Sequence, residues 1–265
     1  MNRARLQALQ AQLLARARQP VPGDWLPVVI GGAEVGVAGP EVAGFLAAHA
    51  PRFMRLDDRL VLDDADLDFA ARTALLFEAA SKLRDAGLLR GWRDEPLDVR
   101  PAPEAEPIAT LERSACRPLG ITTRAVHLNA LSADGRMFVA RRAAHKQIDP
   151  GRWDNLVGGM VPAGEGDLDA LAREAYEEAG LDLTPLTLRR GGRFHVRRVV
   201  PEGFQSEIVQ VFDTVLPEHA QPRNVDGEVA AIEQRDLDGV VAAIERGEFT
   251  LESALVALDA LVRRG

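Results

Sequence analysis

The sequence has a single cysteine, no long apolar run and no excess of positive charge. Cys116 alone cannot form an internal disulfide, which fits a reducing compartment such as the cytoplasm. No apolar run approaches the roughly 20 residues that a membrane helix needs, and residues 1–20 have the pattern of an amphipathic helix rather than of a signal peptide. The formal net charge of −8 argues against a nucleic-acid backbone as the main partner. We therefore expect a cytoplasmic protein that binds neither nucleic acid nor a membrane.

The order of the apolar patterns predicts an α/β fold. Strand-like and helix-like segments alternate without an internal repeat, which favours a mixed sheet packed between helices. We expect a small α+β domain in residues 1–115 and a second domain in residues 116–265. The segment Pro101–Pro107 is the clearest linker by composition, and a short helix is expected within residues 109–115.

The most informative stretch is Gly159–Leu181, a glycine-rich loop followed by one predicted helix. The helix should run from Asp167 to about Ala179 and end at Gly180. At about 100° per residue, Glu177 and Glu178 lie within about 60° of Glu174, so three carboxylates share one arc. On the same arithmetic an apolar set should form the opposite, packing side: Leu168, Leu171, Ala172, Ala175 and Ala179.

Three neighbouring carboxylates repel each other unless something neutralises them. Like charges one turn apart destabilise a helix by roughly 0.2–0.5 kcal/mol per pair. A divalent cation reverses that sign, and carboxylates together with substrate phosphates form the usual Mg²⁺ site. The alternative is a solvated helix face on which Arg173 pairs with Glu177.

The spacing of these residues resembles the Nudix box: Gly, five residues, Glu, seven residues, then Arg-Glu-x-x-Glu-Glu-x-Gly. The resemblance implies a Nudix fold and a hydrolase that cleaves phosphoanhydrides with Mg²⁺, or alternatively Mn²⁺. It implies that Arg173, Glu174, Glu177 and Glu178 are catalytic, and which carboxylate is the base stays open. The implied metal ligands are the Gly158 carbonyl, the three helix glutamates and an outside glutamate, Glu207 in the first place and Glu228 in the second. Structural roles are implied for Gly159, Glu165 and Gly180.

Substrate contacts are expected from residues outside the box. Arg141, Arg142 and Lys146 form a basic loop that could hold phosphate, with ordinary solvated side chains as the alternative. Trp92 and Arg93 are expected to reach the substrate from the first domain, and Glu228 is a further candidate. That domain would cap the cleft, mediate dimerisation, or do both. The chain is expected to be a monomer or a homodimer that binds a small-molecule diphosphate.

Segments outside the box narrow the resemblance to one subfamily. They include Gly91–Glu95, Val126–Asn129 and Asp226–Val229. The subfamily carries an uncharacterised N-terminal domain and is similar to the Nudix part of fungal thiamine pyrophosphokinase fusions and to plant and fungal enzymes acting on thiamine diphosphate analogues. It implies hydrolysis of thiamine diphosphate or its oxidised or damaged analogues to the monophosphate and phosphate. The sequence departs from the subfamily at Phe249–Ala254.

Three alternatives to that function remain. The first is a Nudix pyrophosphatase for a nucleoside diphosphate derivative such as ADP-ribose. The second is isopentenyl diphosphate isomerase, which is disfavoured because its chemistry uses an active-site cysteine and Cys116 precedes the first strand of the second domain. The third is a non-catalytic ligand sensor, which the intact glutamates disfavour.

Overall fold

The computed structural model describes residues 2–146 and 148–264, which contain three sheets and seven helices within those ranges. A four-stranded sheet comes first, in the order β2-β1-β4-β3. It consists of β1 (Leu26–Ile30), β2 (Ala33–Ala38), β3 (Phe53–Leu56) and β4 (Arg59–Leu62). Gly31 and Gly32 both have positive φ, which lets two residues join β1 to β2.

Helices and a hairpin cover the first sheet. Helices α2 (Pro40–His49) and α3 (Phe69–Asp85) pack with it into a core that includes Ile30, Leu46 and Leu83. Strands β5 (Pro96–Val99) and β6 (Ala109–Glu112) pair with each other and lie against α3. The predicted linker, Pro101–Pro107, is therefore wrong as a link between domains, because it joins two strands of one hairpin. The predicted short helix starts later, as α4 (Arg113–Cys116).

A seven-stranded mixed sheet forms the larger second part. Its main order is β11-β12-β7-β8-β13, with β10 beside β7 and β9 beside β8. The central pair, β12 and β7, is parallel. The strands are β7 (Thr122–Leu131), β8 (Met137–Arg142), β9 (Trp153–Asn155), β10 (Val157–Met160), β11 (Arg189–Val200), β12 (Gly203–Val215) and β13 (Val229–Arg235).

Helices cover both faces of this sheet, as the sequence predicts. Helix α5 (Asp167–Ala179) packs on one face, against Val126, Leu128 and Phe212. Helices α6 (Leu237–Glu245) and α7 (Leu251–Arg264) cover the other, and α7 is buried from Leu251 to Leu261. Helix α1 (Arg3–Ala17) lies against α7 and shares its core through Leu6 and Leu13. The division at residues 115 and 116 stays a prediction.

The two sheets meet where the chain enters β7. The Val37 amide of β2 donates to the Leu119 carbonyl at 2.9 Å. A Cβ on Gly36 would overlap that carbonyl oxygen, and Gly120 has φ +55° with Val37 close by. Glycine at both positions therefore lets the backbones approach closely.

Candidate active site

Two of the three helix glutamates, Glu174 and Glu178, face the loop that precedes the helix, whereas Glu177 is exposed. The Gly158 amide donates to Glu178 Oε2 at 2.9 Å. A Cβ on Gly159 would overlap the carboxylate of Glu174, so only glycine admits that side chain. The prediction of a charged side opposite a packing side is thus wrong in part. Ala170, Leu171, Ala175 and Ala179 are buried, Leu168 and Ala172 are exposed, and Glu174 and Glu178 lie at the border of the packed face.

Arg173 holds the box together through four groups. Its Nε donates to both oxygens of Glu165 at 3.3 Å, and its Nη2 donates to the Met160 carbonyl at 3.2 Å. Its Nη1 donates to Glu174 at 2.9 Å and to Glu177 at 3.0 Å. Burial lowers the pKa of the Arg173 guanidinium, but the surrounding carboxylates outweigh burial and raise it. Arg173 is therefore a permanent cation that orders loop and helix together.

The inner carboxylates are held in surroundings that disfavour their charge. Burial raises the pKa of Glu174, against the opposing effect of Arg173. Burial also raises the pKa of Glu178 well above its usual range, and the donated Gly158 amide opposes this only in part. A cation placed between them would offset the desolvation.

The outside glutamate lies on β12, next to the same cleft. Glu207 is 7% exposed and lines a cavity of about 130 Å³ together with Gly158 and Gly159. Burial raises the pKa of Glu207, and the nearby charge of Glu252 adds to this effect. Gln205 connects the two carboxylates, since its Nε2 lies 3.5 Å from Glu207 Oε1 and 2.7 Å from Glu252 Oε1.

The candidate ligand atoms of the cleft suit a hard divalent cation. They are carboxylate oxygens and a backbone carbonyl, which Mg²⁺ and Mn²⁺ prefer over nitrogen or sulfur. Over residues 2–146 and 148–264, no three His, Cys, Asp or Glu side chains are already arranged to hold an ion. Arg173 Nη1 instead bridges Glu174 and Glu177, so an ion bound there would exchange with that contact.

The predicted phosphate-binding residues separate into two groups. Arg142 donates to Asp154 at 3.0 Å and lines the cleft with Gly158. Lys146 forms an ion pair with Glu228, and both line a small recess that Glu178 also lines. Arg141 is exposed, with its guanidinium 5.8 Å from the centre of the Trp153 ring. Arg142, Lys146 and Glu228 are therefore brought to the box, whereas Arg141 is directed to Trp153.

Of the two predicted contacts from the first domain, only Arg93 lines a cavity next to the box. That cavity has a volume of about 390 Å³ and includes Glu207 in its wall. The Trp92 ring instead lies at 83° to Phe77 with centroids 5.3 Å apart, and its Nε1 donates to Asp94 at 2.6 Å. Arg84 lies over the same ring at 4.4 Å. Trp92 therefore packs against α3 through its ring and is hydrogen-bonded within its own loop.

Several residues of the cleft were missed by the sequence reasoning. Arg113 and Arg117 line both cavities, and so does Gln205. Glu252 lies in the segment where the sequence departs from its subfamily, and that departure was the one available signal. Arg113 and Arg117 belong to no motif, so only their position in the folded chain identifies them.

Comparison with known sequences agrees with this geometry. Residues 121–255 match the NUDIX domain, and residues 9–123 match a domain of unknown function (DUF4743). Because the first match covers more than half of the chain, the protein belongs to the Nudix hydrolase family.

Particular relatives and a solved structure extend the comparison. The chain is 30% identical over 200 residues to Nudix hydrolase 20, chloroplastic, and 29% identical over 202 residues to Nudix hydrolase 24, chloroplastic, both of Arabidopsis thaliana. Each match covers 73% of this chain, with 53% and 54% of the respective relative, so the chain spans about half the length of these relatives. The crystal structure of DR0079 from Deinococcus radiodurans has a TM-score of 0.50 and 26% identity, covering 64% of this chain and 98% of that one. Among the described residues, no helix is long and apolar enough to cross a membrane.

Proposed function

We propose that the protein hydrolyses a diphosphate linkage with Mg²⁺, or alternatively Mn²⁺, bound at the box. The observation that carries the proposal is the placement of Glu174 and Glu178. Their carboxylates contact Gly159 and Gly158, respectively, and are thereby partly shielded from water. Burial raises the pKa of both carboxyls, so a bound cation would relieve a cost that the fold otherwise bears.

The roles of the residues follow from their positions. Glu174, Glu177, Glu178, Glu207 and the Gly158 carbonyl would hold the cation, which polarises a phosphoanhydride and activates water when bound. Arg173 would orient Glu174 and Glu177 through its Nη1, and Glu165 would hold Arg173 in place. Arg142 and Lys146 would contact phosphate oxygens, which is supported by Arg142 lining the cleft and by Lys146 lining a recess shared with Glu178.

We propose thiamine diphosphate or an oxidised or damaged analogue as the substrate. The resemblance of Gly91–Glu95, Val126–Asn129 and Asp226–Val229 to one subfamily supports it. A cytoplasmic location is proposed with it, on the single buried Cys116 alone.

A hydrolysis panel tests the substrate. Thiamine diphosphate, oxythiamine diphosphate and ADP-ribose would be incubated with protein and Mg²⁺, and products identified by mass spectrometry. We expect the thiamine compounds to give monophosphate and phosphate faster than ADP-ribose is cleaved. ADP-ribose turnover well above that of oxythiamine diphosphate would overturn the substrate assignment.

The variant Glu177→Gln tests the chemistry separately. We expect turnover to fall because one carboxylate next to Arg173 loses its charge. Unchanged turnover with metal and substrate still bound would show that the catalytic role of Glu177 is misassigned. A wild-type protein that binds metal and substrate without any turnover would favour the sensor.

A further inference from the structure

Two arginines lie next to the Nudix box, in the segment between β6 and β7. Neither belongs to a sequence motif. Arg113 lies in α4 and Arg117 just after it, between β6 and β7. Both line the cavity of about 130 Å³ that contains Gly158, Gly159 and Glu207. Both also line the larger cavity of about 390 Å³ that extends to Arg90 and Arg93. The two cavities therefore adjoin at these arginines.

Contacts with the neighbouring loop fix the position of the Arg113 side chain. Its Nη1 donates to Glu95 Oε2 at 2.7 Å, with the side chain 38% exposed. The neighbouring Glu112 is buried and accepts from the Arg93 amide at 2.8 Å, the Glu95 amide at 3.2 Å and the Ser114 hydroxyl at 2.9 Å. The loop that carries Glu95 and the helix that carries Arg113 are thus tied to one carboxylate.

Donor capacity remains on both guanidinium groups. A guanidinium carries five N–H donors, and among the described residues Arg113 uses Nη1 only, toward Glu95. The side chain of Arg117 is 20% exposed, and the one hydrogen bond of its guanidinium within the described residues is a long contact of 3.5 Å to Glu202. Both residues line the two cavities, where a ligand with several acceptor oxygens would satisfy the unused donors.

The charges around these arginines point to the same ligand. Burial lowers the pKa of the Arg113 guanidinium, but the charges of Glu95, Glu174 and Glu207 outweigh burial and raise it. The charge of Arg117 opposes the effect of burial on the pKa of Glu207. A divalent cation that neutralises Glu174 and Glu207 removes negative charge that otherwise offsets the positive charge of the two arginines. The arginines then attract an anion.

We propose that Arg113 and Arg117 bind the diphosphate of the substrate where the two cavities adjoin, and that the organic group enters the larger cavity beside Arg93. The proposal rests on the proposed function and gives the first domain a defined role in it. The cavity of about 390 Å³ is within the usual range for small-molecule sites. The class of ligand is an organic diphosphate complexed with a divalent cation.

The test uses the full chain with Mg²⁺ and four variants, Arg113→Gln, Arg117→Gln, Arg93→Gln and the control Arg52→Gln. Arg52 belongs to the first domain but pairs with exposed Asp66 away from the cleft. Binding of imidodiphosphate, an analogue that resists hydrolysis, is measured by calorimetry, and KM and kcat are measured with the best diphosphate of the panel. Melting curves show that each variant is folded, and Arg113→Lys replaces Arg113→Gln if the latter is not.

We expect Arg113→Gln and Arg117→Gln each to weaken imidodiphosphate binding and to raise KM by about tenfold to a hundredfold. Arg93→Gln should raise KM for the organic substrate while imidodiphosphate binding stays unchanged, and Arg52→Gln should change neither. Wild-type imidodiphosphate binding and KM in both Arg113 and Arg117 variants would overturn the inference. Weakened imidodiphosphate binding in Arg93→Gln would overturn the orientation.

The proposed function and the arginine site can fail separately. If the wild type hydrolyses no diphosphate, the proposed function is wrong, yet loss of imidodiphosphate binding in the arginine variants would still support the arginine site. If the wild type hydrolyses diphosphates and the arginine variants bind normally, the function stands and this inference falls.

Discussion

Gly159→Ala should abolish most activity while leaving the fold intact. The new Cβ would overlap the carboxylate carbon and Oε1 of Glu174 and would lie 2.5 Å from its Oε2. Gly159 is in β10 and its φ is not positive, so alanine meets no backbone strain there. The flexible end of Glu174 must therefore move away from the loop, which displaces one carboxylate of the proposed metal site.

The two effects of this substitution differ in size. Displacing a carboxylate that binds metal or positions water should lower kcat/KM by about 10²–10⁴-fold, or about 3–5 kcal/mol of transition-state stabilisation. The stability cost should be at most about 1 kcal/mol, because Arg173 keeps its bonds to Glu165 and Glu177 when Glu174 moves. Activity assays and denaturant unfolding measure the two quantities independently.

A double-mutant cycle gives the control. Glu174→Ala should lower kcat/KM to a similar degree, and adding Gly159→Ala to it should cost little more, because the displaced side chain is already gone. Wild-type kcat/KM in Gly159→Ala would refute the reasoning. So would full multiplication of the two losses, since it would mean that the substitution acts through something other than Glu174.

Three further predictions concern stability. Gly44→Ala should stabilise the protein by about 0.5–1 kcal/mol in denaturant unfolding, because Gly44 is exposed within α2 and nothing lies within 4 Å of the added Cβ; a loss of stability would contradict this. Gly36→Ala should cost roughly 1–3 kcal/mol, because the Cβ would overlap the Leu119 carbonyl oxygen at the junction of the sheets; unchanged stability would mean that the junction yields easily. His195→Gln should remove a destabilisation that develops as pH falls below about 6.5. Burial first, and then the charges of Arg197, Arg18 and Arg193, lower the folded-state pKa of this histidine, so the unfolded chain binds the proton earlier; equal pH dependence in variant and wild type between pH 5 and 7 would contradict it.

Residues whose roles are local could be predicted from the sequence. Gly180 has φ +62° at the C-terminus of α5, as its position after the helix predicted. The pairing of β11 with β12 shifts register between Arg190 and Arg193, where Gly191 and Gly192 lie, and glycine within a strand commonly marks such a bulge. The fold class was also predictable, since periodicity within each segment reports which faces must be buried.

Roles that depend on distant contacts could not be read in the same way. Helix α1 lies against α7, which is more than 230 residues later in the chain. The apolar periodicity of α1 predicts a buried face but not which element covers it. Trp92 was expected to reach the substrate, yet Phe77 and Arg84 already contact its ring.

The central claim is that the loop of β10 and the glutamates of α5 hold a divalent cation. The most direct test is anomalous diffraction from crystals of the full chain soaked with Mn²⁺. We expect an anomalous peak bounded by Glu174, Glu178 and the Gly158 carbonyl, with Arg173 Nη1 withdrawn from Glu174. A Mn²⁺ peak elsewhere, with these carboxylates still bonded to Arg173 and the Gly158 amide, would contradict the account.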